Sequence, residues 1–308
     1  RQYTVMEYNF SLFWGLSIQL WEATLVSDQT PVDRFLAGDN GAIDELAKDG
    51  LSVFGGKGRC NKCHAGPELT TASVNAIETL GIADDSNVQE PSGSFRRRSF
   101  DTGFANIGVR PTASDPGNGG FDPFGNPLSV TRLNGLADDG VQGSFKVASL
   151  RNVELTAPFF HNGGELTLRQ VVDFYSRGGD FANPEQNPNI RNLGLSEQDK
   201  DALVAFLKAL TDERVRSAAA PFDHPQLFVP AGEQVNADGT IKTANGVAVD
   251  CFLEVPATGA AGGAPLPTFA SFLFTGPPCG PAPTLVTGST GTSGGTSGGT
   301  SGGTSGSG

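Results

Sequence analysis

Basic residues are scarce in this 308-residue chain. It carries 21 Lys and Arg against 33 Asp and Glu, a net charge of -12. That deficit excludes nucleic acid and anionic membrane as partners, because both are polyanions. No apolar run is long enough to span a bilayer. No signal peptide is present, and the chain opens on Arg1 rather than Met, so it reads as a processed or excised product. Methionine occurs once, as Met6, and histidine three times, as His64, His161 and His224. The four cysteines do not make two zinc-ligand pairs. Cys60 and Cys63 are close together, but Cys251 and Cys279 lie far away among Gly and Pro. No βαβ pattern of the thioredoxin kind surrounds the close pair.

The pentapeptide Cys60-Asn61-Lys62-Cys63-His64 is the most informative segment. C-x-x-C-H is the attachment site of a c-type haem. Two cysteines one turn apart reach the vinyl groups on one edge of a porphyrin. The histidine that follows then sits under the iron as proximal ligand. The competing readings are a chance C-x-x-C and half a zinc site. Covalent haem attachment takes place outside the cytoplasm, so the periplasm, the cell surface or the medium is the expected compartment. There, Cys251 and Cys279 are expected to form a disulfide, the alternative being two buried free thiols. The iron needs a second axial ligand or an open face, and the candidate ligands are few: Met6, His161, His224, Tyr3, Tyr8 and Tyr175.

The periodicity predicts one helix over residues 5–25, with Phe10, Phe13, Trp14, Leu20, Trp21 and Leu25 on one face. Thr30-Pro31 starts a short helix, and residues 42–54 form another that Gly55-Gly56 ends. Residues 65–145 are rich in Gly, Pro, Asp and Asn and read as long loops. Thr167 caps a helix that Arg177-Gly178-Gly179 stops. Ser196 to Asp199 has the form of a capping box and opens a helix with Leu203, Phe206, Leu207 and Leu210 as its apolar stripe. The fold class is therefore mainly α, a cytochrome-c-like helical haem domain with long loops over 1–215. Residues 216–288 form a small irregular or β extension with short strands, as in 246–254, stapled by the disulfide. Residues 289–308 repeat Thr-Ser-Gly-Gly, lack large apolar side chains and read as a flexible tail.

The run from Phe145 to Gly163, FKVASLRNVELTAPFFHNG, resembles the C-terminal, electron-transfer haem domain of the bacterial di-haem cytochrome c peroxidase and MauG family. So do residues 30–35 (TPVDRF), 56–58 (GKG) and 168–175 (LRQVVDFY), in the same order. The resemblance covers about residues 5–213. It implies His64 and Tyr175 as the two iron ligands, Tyr175 matching the MauG position where peroxidases of the family have Met. A phenolate is a hard anionic donor that favours ferric iron and lowers the potential. The alternative for Tyr175 is an aromatic core residue. His161 is the rival ligand, or bonds a propionate or a backbone group. The resemblance also implies a calcium site using backbone carbonyls of Thr156 and Pro158. Lys146 and Arg151 are candidates to pair propionates, the alternative being solvated charge. Arg96-Arg97-Arg98 reads as a solvated loop cluster.

Departures from the family bear on function. A second C-x-x-C-H is absent, as are the F-W-D-G-R-A and N-P-V-E-M type segments that carry a bridging Trp and an acid-base Glu. The leading expectation is an exported c-type haem oxidoreductase whose single covalent haem relays electrons. Its partner would be a peroxidatic haem in a missing half or another chain, since a complete peroxidatic site is not present here. The alternatives are a mono-haem electron carrier, a relative of the rubber-cleaving di-haem oxygenases, and a surface or filament subunit that assembles into an oligomer with its tail as tether.

Overall fold

The computed structural model describes residues 3–79, 88–89, 100–135, 140–259, 262–267 and 280. The chain divides into two compact units, Arg1–Leu227 with Val255–Pro277, and Phe228–Glu254 with Pro278–Gly308.

The first unit holds helices α1 (Val5–Tyr8), α2 (Phe10–Glu22), α3 (Pro31–Leu36), α4 (Glu45–Gly55), α5 (Val74–Thr79), α6 (Val130–Leu133), α7 (Leu168–Arg177), α8 (Glu197–Lys208) and α9 (Glu213–Arg216). Its centre is the crossing of α4 and α8, with α7 packed on α8. Gly50 makes that crossing close: a Cβ there would collide with the Ala202 carbonyl and stand 2.7 Å from Phe206 Cβ. Phe54 meets Phe206 with ring centroids 5.0 Å apart. Val32, Ile43, Leu168, Val172, Leu203, Leu207 and Leu210 complete the core.

Local chemistry explains the helix ends. Thr30, Thr167 and Ser196 each close a capping box, with Asp33, Gln170 and Asp199 as the third residue of the helix. Gly178 ends α7 at φ 91°, a left-handed turn that glycine adopts without a Cβ penalty. Helix α4 starts at Glu45, because the Asp44 side chain caps it. The expected single helix over 5–25 is two helices. Asn9 breaks it, turning its side chain back onto the Val5 carbonyl at 2.9 Å. Neither piece buries a residue.

The loops between α5 and α7 carry two two-stranded antiparallel sheets. One pairs β1 (Val88–Gln89) with β2 (Phe100–Asp101), the other β3 (Phe104–Ala105) with β4 (Phe145–Lys146). Asp101 organises this region. It is buried and accepts hydrogen bonds from Ser129, Val130, Thr131 and Asn118. Helix accounts for 31% of the chain and strand for 14%, so "mainly α" describes the core better than the whole.

In the second unit, β5 (Leu227–Glu233) pairs with β8 (Asp250–Val255). Strands β6 (Thr243–Ala244) and β7 (Val247–Ala248) form a hairpin across Asn245-Gly246. Cys251 is buried in β8. Cys279, Arg96-Arg97-Arg98 and the 289–308 repeat lie outside the described residues. No helix among the described residues is long and apolar enough to cross a membrane.

Candidate haem site

The C-x-x-C-H segment follows α4 directly. Arg59 takes a left-handed conformation at φ 56° and starts a 3-10 turn over Cys60–Lys62. The Cys63 and His64 amides both donate to the Cys60 carbonyl, at 3.2 and 2.9 Å. Residues three apart eclipse in such a turn, so Cys60 and Cys63 share a side, and His64 follows directly.

The loop behind His64 fixes the imidazole. Nδ1 of His64 is 3.2 Å from the Leu69 carbonyl. A carbonyl only accepts, so Nδ1 carries the proton in this contact, and the Ala148 carbonyl is a second backbone partner of the ring. Burial also pulls the His64 pKa below its ordinary value. The ring is therefore neutral at physiological pH, as a metal-binding imidazole must be. Three contacts pin the loop from β4 onward. Thr70 Oγ1 donates to the Val147 carbonyl at 2.5 Å, Ser149 Oγ to the Glu68 carbonyl at 2.6 Å, and Arg151 Nε to the Pro67 carbonyl at 2.7 Å.

Both thiols are protonated. Burial pushes Cys60 up to about 12 and raises Cys63. Such thiols are poor nucleophiles and poor zinc ligands. Among the described residues no group of three or more His, Cys, Asp or Glu could hold a metal ion.

Tyr175 lies on the last turn of α7. Burial raises its pKa, and coupling to the titration of Cys63 and Cys60 raises it further, so the phenol shares their electrostatic neighbourhood. Its ring packs edge-on against Phe174 at 5.3 Å and Phe160 at 6.2 Å. Phe160 sits at φ 65°, a conformation that a bulky residue keeps only when packing holds it. The Tyr175 hydroxyl makes no hydrogen bond among the described residues. The other ligand candidates are elsewhere engaged or open to solvent. Met6, Tyr3 and Tyr8 are exposed, and His224 Nδ1 lies 3.0 Å from the Pro225 carbonyl. His161 stacks on Phe145 at 3.6 Å and pairs with Asp115 at 2.7 Å.

A c-type haem fits these residues. The turn offers two neutral thiols and a neutral imidazole, and a buried phenol shares the thiols' electrostatic neighbourhood. Partly buried apolar side chains, among them Leu69, Leu150, Val153 and Leu193, pack at the edge of the core. Beside the motif, Arg59 donates through Nη2 to Asn189 at 2.6 Å, while its buried Nε has no partner. A buried cationic donor without an acceptor suits an anionic cofactor. No signal in the sequence singled out Arg59.

The other expected site residues have these positions. Lys146 is exposed on β4. Arg151 forks onto Asp33, at 2.8 and 2.9 Å, and also donates to the Ser27 carbonyl at 2.8 Å. With the Pro67 contact, four of its five N–H groups are used. Thr156 Oγ1 turns back to the Val153 carbonyl at 3.0 Å, and Pro158 is half-buried nearby in sequence.

No protein-family model matches the chain. Individual relatives do. Cytochrome-c peroxidase IdrP2 of Denitromonas iodatirespirans is 35% identical over 199 residues, 64% of this chain and 48% of the relative. Methylamine utilization protein MauG of Methylorubrum extorquens is 30% identical over 197 residues, 64% of this chain and 43% of the relative. Cytochrome c551 peroxidase of Nitrosomonas europaea is 30% identical over 199 residues, 64% and 44%. Among solved structures, a MauG-like protein associated with microbial copper homeostasis aligns over 64% of this chain and 55% of its own, with TM-score 0.44 and 26% identity. The diheme peroxidase BthA from Burkholderia thailandensis aligns over 56% and 44%, with TM-score 0.34 and 24% identity. The chain spans about half the length, or less, of the curated relatives it matches. Over 64% of its length the chain is thus a homologue of bacterial cytochrome c peroxidases and MauG.

Proposed function

We propose that this chain is an exported c-type haem protein that carries an electron-transfer haem and relays electrons to a second haem domain. The reading is supported by the C-x-x-C-H turn with its Leu69-anchored His64, and by a buried Tyr175 whose titration couples to Cys60 and Cys63 across more than a hundred residues of sequence. Cys60 and Cys63 would tether the group as thioethers, and His64 and Tyr175 would be the residues that hold its iron. A bound haem supplies a one-electron iron couple. The chain's part is to set that couple and exclude water from it. The Leu69 carbonyl keeps His64 Nδ1 protonated and so orients the ring. Tyr175 is a neutral phenol in its own surroundings, so it becomes an anionic donor only by exchanging its proton for a cation. An anionic oxygen donor favours the oxidised metal, so such a couple would lie lower than in Met-ligated cytochromes.

The relay to a second domain is supported by length. The cytochrome c peroxidases and MauG that match this chain are about twice as long as the matched region. The reading uses one haem and does not require calcium at Thr156 and Pro158. Export fits the covalent haem and a Cys251–Cys279 disulfide. The paired backbones of Phe252 and Gly280, next to each cysteine, support that bond. The test is intact mass under denaturing conditions, joined to a redox titration. One haem that survives acidified organic solvent, with a potential below Met-ligated cytochromes, is expected. Extractable haem, or none, would overturn the assignment.

A further inference from the structure

Helices α1 and α2 pose a problem that the haem site does not answer. From Val5 to Val26 the only charged residues are Glu7 and Glu22. Twelve large apolar or aromatic side chains between Tyr3 and Trp21 are exposed, from 40% at Ile18 to 80% at Tyr8. They do not form one stripe. Phe10, Phe13, Trp14 and Trp21 cover one side, while Leu12, Leu16 and Ile18 cover others. A helix that is apolar all round belongs in an interior.

The exposed apolar area is on the order of 1,000 Å², taking roughly 150–250 Å² for each fully exposed aromatic. The largest apolar patch of a soluble monomer is about 300–600 Å². A stable interface uses about 800 Å² per partner. The segment is thus of interface size.

What covers it is constrained by chemistry. Helix α2 by itself is too short to span a bilayer: its 13 residues are about 20 Å long against a hydrocarbon core of about 30 Å. A membrane surface is disfavoured, since interfacial helices have a basic polar face and this segment has no Lys or Arg between Gln2 and Asp33. A second copy laid alongside would cover one side and leave the rest wet. An occupant that encloses the helix must be a folded domain with an uncharged apolar groove. At Gly15 a Cβ would meet nothing within 4 Å, so a partner backbone has room to approach there. The matching relatives carry, beyond the matched region, a further half of a chain of suitable size.

We infer that α1 and α2 are the docking element for the second haem domain, held in an uncharged groove of that domain. The inference rests on the relay reading above and names its contact surface. Trp14 and Trp21 are the chain's only tryptophans, and both are exposed, at 61% and 60%. Intrinsic fluorescence therefore reports this surface alone.

The experiment mixes the haem-loaded chain with the part of IdrP2 that lies outside the match, loaded with its own haem. A 1:1 complex is expected by sedimentation. It should bring a blue shift of tryptophan emission, quenching by the added haem, and little change when salt is raised. Phe13→Ser with Leu20→Ser should weaken the complex about tenfold or more, with the chain's own haem spectrum unchanged. Three results would overturn the inference: no complex, a blue shift that depends on the chain's own concentration, or one that appears with anionic vesicles instead. The haem count and potential are measured on the chain alone, so the relay reading's haem assignment can fail or stand separately.

Discussion

Replacing Asp33 with Asn tests how the loop behind His64 is held. Asp33 caps α3 through Thr30 and takes the Arg151 fork on both carboxylate oxygens. Arg151 in turn reaches the carbonyls of Ser27 and Pro67. One ion pair therefore joins three segments, and one of them is the His64 loop. The Arg151 hydrogen bonds pull Asp33 from an ordinary 3.8 to about 2. At about 1.4 kcal/mol per pKa unit that shift amounts to roughly 2.5 kcal/mol, and solvent at the partly open pair reduces it to about 1–2 kcal/mol. The folded pKa is the depressed one, so this stability is present above pH 3.8 and is lost as pH falls through about 2. Urea denaturation of the wild type and of Asp33→Asn at pH 7 should differ by about 1–2 kcal/mol. By pH 3 about half of that difference should have gone. A difference that is absent at pH 7, or undiminished at pH 3, would refute the argument.

Three further outcomes follow from named contacts. Gly50→Ala should cost about 1–3 kcal/mol or more in thermal or urea unfolding, because its Cβ enters the α4–α8 crossing; a neutral result would mean the helices are not this close. Cys251 and Cys279 should resist alkylation until reductant is added, and reduction should destabilise the second unit by about 2–4 kcal/mol. Two thiols labelled without reductant would rule out the bond. Replacing Arg59 with Gln should loosen the haem environment, read as a shift in the Soret band, since it removes a buried donor that lacks a protein partner; an unaltered spectrum would leave Arg59 a purely structural residue.

Much of this was legible in the chain because it rests on local rules. Thr167 and Gly178 bound α7, and Ser196 with Asp199 opens α8, as their residue types require. The C-x-x-C-H turn gathers its three side chains through neighbouring backbone bonds. Legibility ended where contacts are distant in sequence. The pairs Arg151–Asp33 and His161–Asp115 span 118 and 46 residues, and nothing in the flanking residues marks the partner. The α1–α2 segment shows a second limit. Periodicity identifies a helix, but it says nothing about what the apolar faces touch. An all-round apolar pattern then looks like core although neither α1 nor α2 buries a residue. The loops over 65–145 hide small helices and strands whose lengths, two to six residues, are too short to carry a period.

The account stands most directly on Tyr175. The ferric haem spectrum of the wild type should be that of a six-coordinate, oxygen-ligated iron. Tyr175→Phe should open one axial position, so that cyanide or azide binds faster and the spectrum changes, while the covalent haem stays in place. An unchanged ferric spectrum and unchanged ligand-binding rate in Tyr175→Phe would contradict the account.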